Sequence, residues 1–365
     1  MTLPNSAPAR KKVHFRNLTG LRFFAALSVL IYHFYGFEVL NGHYGVILFF
    51  VLSGFLITYL LLEEHDRYGT VSLRQFYMRR ILRIWPLYYL SILLSFIFLF
   101  TPLGAAMNDG NFFKALPYFL FFIPNVAFAL GIGIPTINIL WSIGAEEQFY
   151  FLWPLLLKFF KKRFLVIMGF IFVFFIVVPN LLDFATYHFV FPGSVKLRLI
   201  SSIIYYLSFN SMATGAILAY AVKYYQRYLH FIFLKSVQLI TYALLIFCWV
   251  LNVQPPYATD QMYATMFGLI IVNLAANPRT ILSLENKILN YLGKISYGLY
   301  VYQYFTFHLA LLIVLSIFPS TGEKSVLLFI VSLAVTAGIA SISYHFFETP
   351  FLNWKARKFT IVKSG

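Results

Sequence analysis

Apolar stretches long enough to cross a bilayer recur from one end of this 365-residue chain to the other. They lie at about 19–38, 45–62, 80–101, 115–131, 139–157, 164–182, 201–222, 234–251, 258–275, 292–318 and 326–347, and roughly 20 mostly apolar residues suffice for one helical span. Only 11% of the residues are charged, against roughly 25% in soluble domains. Such a chain cannot cover itself with polar side chains, and no stretch is long and polar enough for a separate soluble domain. Hydrocarbon offers no partner to backbone N–H and C=O groups, so spanning segments must satisfy their own. The expected fold is all-α and integral to a membrane.

The 43 Phe and 26 Tyr suit lipid and its interface better than water. Cys248, the single cysteine, sits in the apolar run LLIFCWVLNV, so it reads as a small packed hydrophobe and a disulfide framework is excluded by count. A net charge of +16 raises the question of nucleic acid, but the basic residues are scattered between apolar stretches, and no nucleic-acid partner is expected. The N-terminal MTLPNSAPARKKVHFR followed by an apolar run resembles a signal peptide, yet no small-residue cleavage site follows. It reads as the first span.

Lys and Arg accumulate in cytoplasmic loops, and this rule decides the span count. With Arg10, Lys11, Lys12 and Arg16 inside, Arg67, Arg74, Arg79, Arg80 and Arg83 also fall inside. If 115–131 crossed, the cluster of Lys158, Lys161, Lys162 and Arg163 would land outside. That segment is short, holds Pro117 and Pro124, and precedes GIGIPTIN, which suits a re-entrant or interfacial piece. Without it, about ten spans remain and both termini are cytoplasmic. Only Lys114, Lys196, Arg198 and Lys324 then lie outside, and the other 24 of 28 basic residues lie inside or at inner helix ends. The expected division is a tail at 1–18, one transmembrane domain at 19–350 and a second tail at 351–365.

Three constellations could carry chemistry. In the first helix Arg22 and His33 are eleven residues apart, about 20° past three full turns, so they share a face about 16 Å apart along the axis. Intramembrane ionisable groups face cavities or partners; alternatively, Arg22 snorkels to headgroups and His33 is interfacial. In LWSIGAEEQFYFLWPLLL, Trp141 and Ser142 read as the start and cap of a helix bearing Glu146 and Glu147. This helix runs inward from the outer side, placing both carboxylates near the depth of His33, where one could orient the imidazole as a general base. A plain preference of acids for a helix N-terminus is the competing reading. In RQFYMRRILRIWPLYYL, Arg79, Arg80 and Arg83 form one basic face. It could grip a phosphate-bearing cytosolic donor or simply anchor the inner membrane face.

Weaker candidates complete the set. Ser53 and Gly54 in FFVLSGFLIT read as a close helix contact. Ser296, Tyr297, Tyr300 and Gln303 could line a cavity, and Glu348 in FFETP ends an inner helix, paired with an arginine or solvated. His43 and His188 read as outer-loop residues, and His14, His65 and His230 as inner-loop ones.

In their order along the chain, the Arg22–His33 spacing, FFVLSGFLIT, RRILRIWPLYYL, WSIGAEEQFYFLWPLLL, GKISYGLYVYQ and FFETP resemble the membrane acyltransferase 3 family. That family includes bacterial O-acetyltransferases of surface polysaccharides and related glycans. The resemblance covers about 20–350 and implies a ten-helix protein of the bacterial cytoplasmic (inner) membrane. It also implies transfer of an acyl group, most often acetyl, from cytoplasmic acyl-CoA to a hydroxyl of a glycan or lipid-linked saccharide outside. By motif, His33 would be catalytic with Arg22 as its partner, Glu146 and Glu147 the paired acids, and Arg79, Arg80 and Arg83 the donor-binding group. No metal is expected. Gln303 stands where the family often has histidine, and no fused esterase-like domain is expected after residue 350. A transporter or flippase relaying protons between His33 and Glu146 or Glu147 is the alternative. The sequence does not decide whether His33 acts as base or acyl carrier, nor identify the acceptor.

Overall fold

The computed structural model describes residues 15, 17–35, 41–106, 110–187, 194–319 and 325–359. Expectations about Arg10, Lys11, Lys12, His14, Arg16, His188 and Lys324 lie outside the described residues. Among the described residues the chain is helical and has no strand. Its α-helices are α1 (Leu18–Tyr35), α2 (Gly42–Tyr68), α3 (Leu73–Leu99), α4 (Pro102–Ala106), α5 (Phe112–Leu120), α6 (Pro124–Ala129), α7 (Trp141–Phe160) and α8 (Phe164–Tyr187), then α9 (Val195–Tyr205), α10 (Phe209–Tyr224), α11 (Lys235–Val250), α12 (Thr259–Ala276), α13 (Lys287–Lys294), α14 (Ser296–Ile317), α15 (Val326–Ser343) and α16 (Thr349–Lys358).

Six helical stretches are long and apolar enough to cross a membrane, and Leu18–Phe34 and Lys235–Val250 are shorter apolar helices. One of the six, Pro135–Thr186, is not a single rod. It breaks at Lys161–Arg163, and the chain doubles back so that the Trp153 and Phe164 rings lie 5.3 Å apart. Large apolar side chains point outward, as along Val166, Phe170, Val173, Val177 and Leu181 of α8. Ser, Thr, Asn and Gln side chains are turned inward. That arrangement suits lipid and fails in water.

Helix α2 runs through the middle, and its closest partner is α10. Gly54 and Gly215 face each other across this contact: a Cβ at Gly54 would stand 1.9 Å from Met212 O, and one at Gly215 2.0 Å from Val51 O. Each glycine admits the other helix's backbone, the small-residue packing that membrane helices use in place of hydrophobic drive.

Several apolar stretches are subdivided. Residues 115–131 form parts of α5 and α6, separated by a turn in which Phe122 takes φ 58°, and neither piece is long enough to span. Pro117 lies in α5 and Pro124 opens α6. The stretch 201–222 breaks at Ser208, φ 50°, into the end of α9 and α10. Helix α15 passes through a π-helical turn at Tyr344–Glu348 into α16, so residues expected as a tail form a helix that returns to α3, where Arg79 donates to Phe359 O at 3.1 Å.

A polar network fixes the other end of α2. Glu63 pairs with Lys223 and, at 2.5 Å, with Arg67. Asp66 accepts from Lys161 at 2.8 Å and Tyr224 at 2.9 Å. Glu64, 2% exposed, accepts from Ser72 N at 2.7 Å and Arg79 at 3.1 Å. These bonds tie α2 to α3, to α10 and to the α7–α8 turn, and so set the register of the arginines on α3.

Candidate active site

Helices α1, α2, α3, α7 and α14 line a narrow cavity of about 100 Å³. Arg22, Arg80 and Arg83 line it together with Glu146, Ser53, Ser142, Tyr150, Ser296, Tyr297 and Tyr300. Arg22 and Arg80 come from different helices, so the basic group is a three-dimensional cluster and not one helix face.

The three sequence-adjacent arginines divide. Arg79 turns away and is neutralised by Glu64. Arg80 lies 5.2 Å over the Tyr150 ring and 5.7 Å over Phe76, and its buried Nε has no hydrogen-bond partner. Among the described residues, Arg22, Arg80 and Arg83 form no ion pair. Lys355 of α16 is electrostatically coupled to all three. Cations gathered in one cavity repel, and an anionic ligand relieves that repulsion.

Glu146 is the carboxylate on the cavity wall. Its Oε1 accepts from Ser53 Oγ at 2.8 Å, and Tyr150 OH lies 2.9 Å from both Glu146 Oε2 and Ser53 Oγ. Ser53, expected to serve packing, is thus part of this polar wall, while Gly54 beside it does pack. Glu147, about 100° further round α7, faces the other way. Trp85 Nε1 donates to its Oε2 at 2.9 Å, its Oε1 is buried without a partner, and it borders a mainly apolar groove between α3, α7, α8 and α10. Arg80 and Tyr150 border both spaces.

Ser142 is not a helix cap. The chain enters α7 through a 3₁₀ turn at Pro135–Leu140, and Ser142 Oγ instead meets Tyr300 OH at 2.7 Å, both lying 3.2 Å from Ile139 O. Trp141 packs against Phe50. Tyr297 OH donates to Ile84 O at 2.9 Å. Glu348 is buried near Gly298 with Oε1 unpartnered, so it is not solvated as one reading expected; among the described residues it forms no direct ion pair, and Arg83 is the arginine that acts on it electrostatically.

His33 does not line the arginine cavity. It is exposed at the far end of α1, beyond the Ser142–Tyr300 contact. Its Nδ1 lies 3.0 Å from Val29 O. A carbonyl only accepts, so Nδ1 carries the proton in the neutral ring and Nε2 keeps its lone pair. The expected carboxylate partner is absent: Glu146 and Glu147 bond to Ser53, Tyr150 and Trp85. Matching depth on two helices does not fix rotation about their axes. Gln303 is the side chain within hydrogen-bonding reach of the imidazole; its Nε2 donates to Tyr300 O at 2.8 Å and its Oε1 is buried without a partner. Tyr297, Tyr300 and Gln303, three residues apart on α14, therefore form the polar line from the arginine cavity to His33.

Two contributors were missed in the sequence. Tyr150 is four residues after Glu146 and readable from helical spacing. Lys355 lay in the expected tail and carried no signal. Among the described residues no group of His, Cys, Asp or Glu could hold a metal ion.

Comparison with known proteins identifies the family. The sequence profile of the acyltransferase domain matches residues 15–345. O-acetyltransferase OatA of Staphylococcus aureus (strain NCTC 8325 / PS 47) is 29% identical over 373 residues, covering 95% of this chain and 59% of that protein. OatA of strain MRSA252 is 29% identical over 356 residues, covering 91% and 56%. The chain thus spans less than three fifths of the length of these relatives. No solved structure matches it. With the family profile matched from the first helix through α15, the chain belongs to the acyltransferase domain family.

Proposed function

We propose that this protein transfers an acyl group, acetyl in the first instance, from cytoplasmic acyl-CoA to a hydroxyl of a glycan or lipid-linked saccharide across the membrane. The observation that carries this is the set of three guanidiniums in one cavity without ion pairs among the described residues, connected along α14 to a histidine at the opposite end. The relatives' name, O-acetyltransferase, supports the acyl group and the oxygen acceptor. In this reading about ten helices span a bacterial cytoplasmic membrane, α5 and α6 lie at its outer side, and both termini are cytoplasmic.

The donor's phosphates fit Arg22, Arg80 and Arg83, because guanidinium pairs bidentately with phosphate, and Lys355 adds charge at the same end. The narrow pantetheine arm then follows Tyr297 and Tyr300 outward. The Ser142–Tyr300 contact must yield for the thioester to reach His33. There, with Nδ1–H held by Val29 O, Nε2 is the acting atom. It removes the acceptor's hydroxyl proton while the oxygen attacks the carbonyl carbon and the C–S bond breaks, or it takes the acyl group first and the acceptor oxygen displaces it. Gln303 orients the ring. Glu146 holds Ser53 and Tyr150 in place beside the arginines.

A proton-relay transporter would need His33 hydrogen-bonded into a carboxylate chain, and neither Glu146 nor Glu147 reaches it. The test is donor binding together with transfer: purified protein binds CoA, and His33→Ala keeps that binding while losing glycan acylation. Failure of the wild type to bind CoA would sink the reading.

A further inference from the structure

The outer segments show no sugar-binding signature when read along the chain, yet the fold brings aromatic and polar side chains from distant segments together. At the end of the bundle that carries His33, five rings form a connected cluster on one buried carboxylate, Asp260 in the first turn of α12: His43 of α2 bonds to it, Tyr205 and Tyr206 at the end of α9 adjoin it, and Trp141 of α7 and Phe128 of α6 continue the cluster. This is the His33 end because Gly42 packs on Tyr32: a Cβ at Gly42 would stand 2.9 Å from Tyr32 Cβ, and these residues adjoin His43 and His33.

The His43 ring lies nearly parallel to Trp141 (6.3 Å, 19°) and to Tyr205 (6.3 Å, 22°). Trp141 in turn meets Tyr206 at 5.3 Å and Phe128 at 5.9 Å. His43 Nε2 is 3.1 Å from Asp260 Oδ1, and Asp260 is 7% exposed. A carboxylate accepts, so Nε2 carries the proton and Nδ1 is left as a lone-pair acceptor with no partner among the described residues. Trp141, 8% exposed, closes the floor, whereas Tyr205, 41% exposed, presents an open ring at the rim.

An ion pair that only pinned α2 to α12 would need neither parallel rings nor an open tyrosine face. A pyranose needs both kinds of group: aromatic rings under its C–H face, and a few fixed polar atoms for its hydroxyls. None of the six side chains is a lysine or arginine, and Asp260 disfavours phosphate or carboxylate, so the matching ligand is uncharged.

We propose that these residues form the acceptor subsite, in which a neutral sugar ring stacks on Tyr205 and a sugar hydroxyl donates to His43 Nδ1. The proposal rests on the acyl-transfer reading and names the chemistry of its acceptor. The test is saturation-transfer NMR on the full chain in detergent micelles, with chitotetraose, cellotetraose and maltotetraose as neutral probes and glycerol 3-phosphate as the anionic one. At least one tetrasaccharide should receive saturation on its ring C–H groups, and glycerol 3-phosphate none. Tyr205→Ala should weaken that binding about tenfold, and Tyr205→Phe, which keeps the ring, should restore it. Asp260→Asn should weaken it as well. Binding of none of the tetrasaccharides, binding of glycerol 3-phosphate alone, or wild-type sugar binding by Tyr205→Ala overturns the subsite. A protein that binds sugar normally yet neither binds CoA nor transfers an acyl group would overturn the acyl-transfer reading and leave the sugar site standing.

Discussion

Arg79 and Arg83 lie on one face of α3, four residues apart, yet the structure predicts opposite consequences for their removal. Arg79 neutralises Glu64, a carboxylate 2% exposed. Arg79→Ala leaves that charge buried with only the Ser72 amide for company, and breaking one side of a buried pair costs about 3–5 kcal/mol. Among the described residues Arg83 has no ion pair; it shares its cavity with Arg22 and Arg80 and also attracts the buried Glu348, so in Arg83→Ala the relief of like-charge repulsion offsets the lost attraction and thermal stability changes little. Under the proposed function, what it removes is a grip on donor phosphate. A hydrogen bond to a charged group contributes about 1.5–3 kcal/mol, which is roughly 10- to 150-fold in Kd. Thermal unfolding in detergent and isothermal titration with CoA separate the two effects. Arg79→Ala should unfold earlier, with near-normal CoA affinity in the fraction that remains folded. Arg83→Ala should hold its Tm and bind CoA at least tenfold more weakly. Equal loss of CoA affinity in the two variants, with equal Tm, would refute this division of the cluster.

Other substitutions test the packing and the polar walls. Gly54→Ala drives a methyl into Met212 O and should lower stability by about 1–3 kcal/mol or more, measured as a drop in Tm, whereas Gly69→Ala at an open surface turn should cost only about 1 kcal/mol through its positive φ. Ser53→Ala deprives Glu146 Oε1 of its donor and should cost about 1–3 kcal/mol of stability; Ser53→Thr, which keeps the hydroxyl, should cost less. Gln303→Ala removes the neighbour of the His33 ring, so acyl transfer should fall while CoA affinity measured by titration stays within about twofold.

The architecture was legible because hydrophobic runs are long and local. The spans at 45–62 and 80–101 became α2 and α3, and Pro117 and Pro124 correctly marked a region that could not form one long helix. Ser208 was not legible as a break: nothing in LSFNS announces a left-handed residue, which the surrounding packing imposes. At the site, helical spacing put Tyr297, Tyr300 and Gln303 on one line of α14, whereas Arg22 and His33, expected to form one stripe, do not border the same cavity. What spacing could not give was rotation between helices. It paired Glu146 with His33 by depth, whereas the fold turns Glu146 toward Ser53 and Tyr150 and brings Gln303 to the histidine. Arg79 could not be told from Arg83 because Glu64 reaches it from another helix. The ring cluster around Asp260 draws on residues 43 to 260 of the sequence, so no window along the chain contains it.

The central claim is that His33 receives a donor from one side of the membrane and passes its acyl group to a glycan on the other. Mass spectrometry of surface glycans from cells producing wild-type protein or His33→Ala, at matched membrane levels, tests it most directly. The account predicts a glycan species heavier by one acyl group with the wild type and its disappearance with His33→Ala, while the purified variant still binds CoA. The same acylated glycan at undiminished level in His33→Ala cells would contradict it.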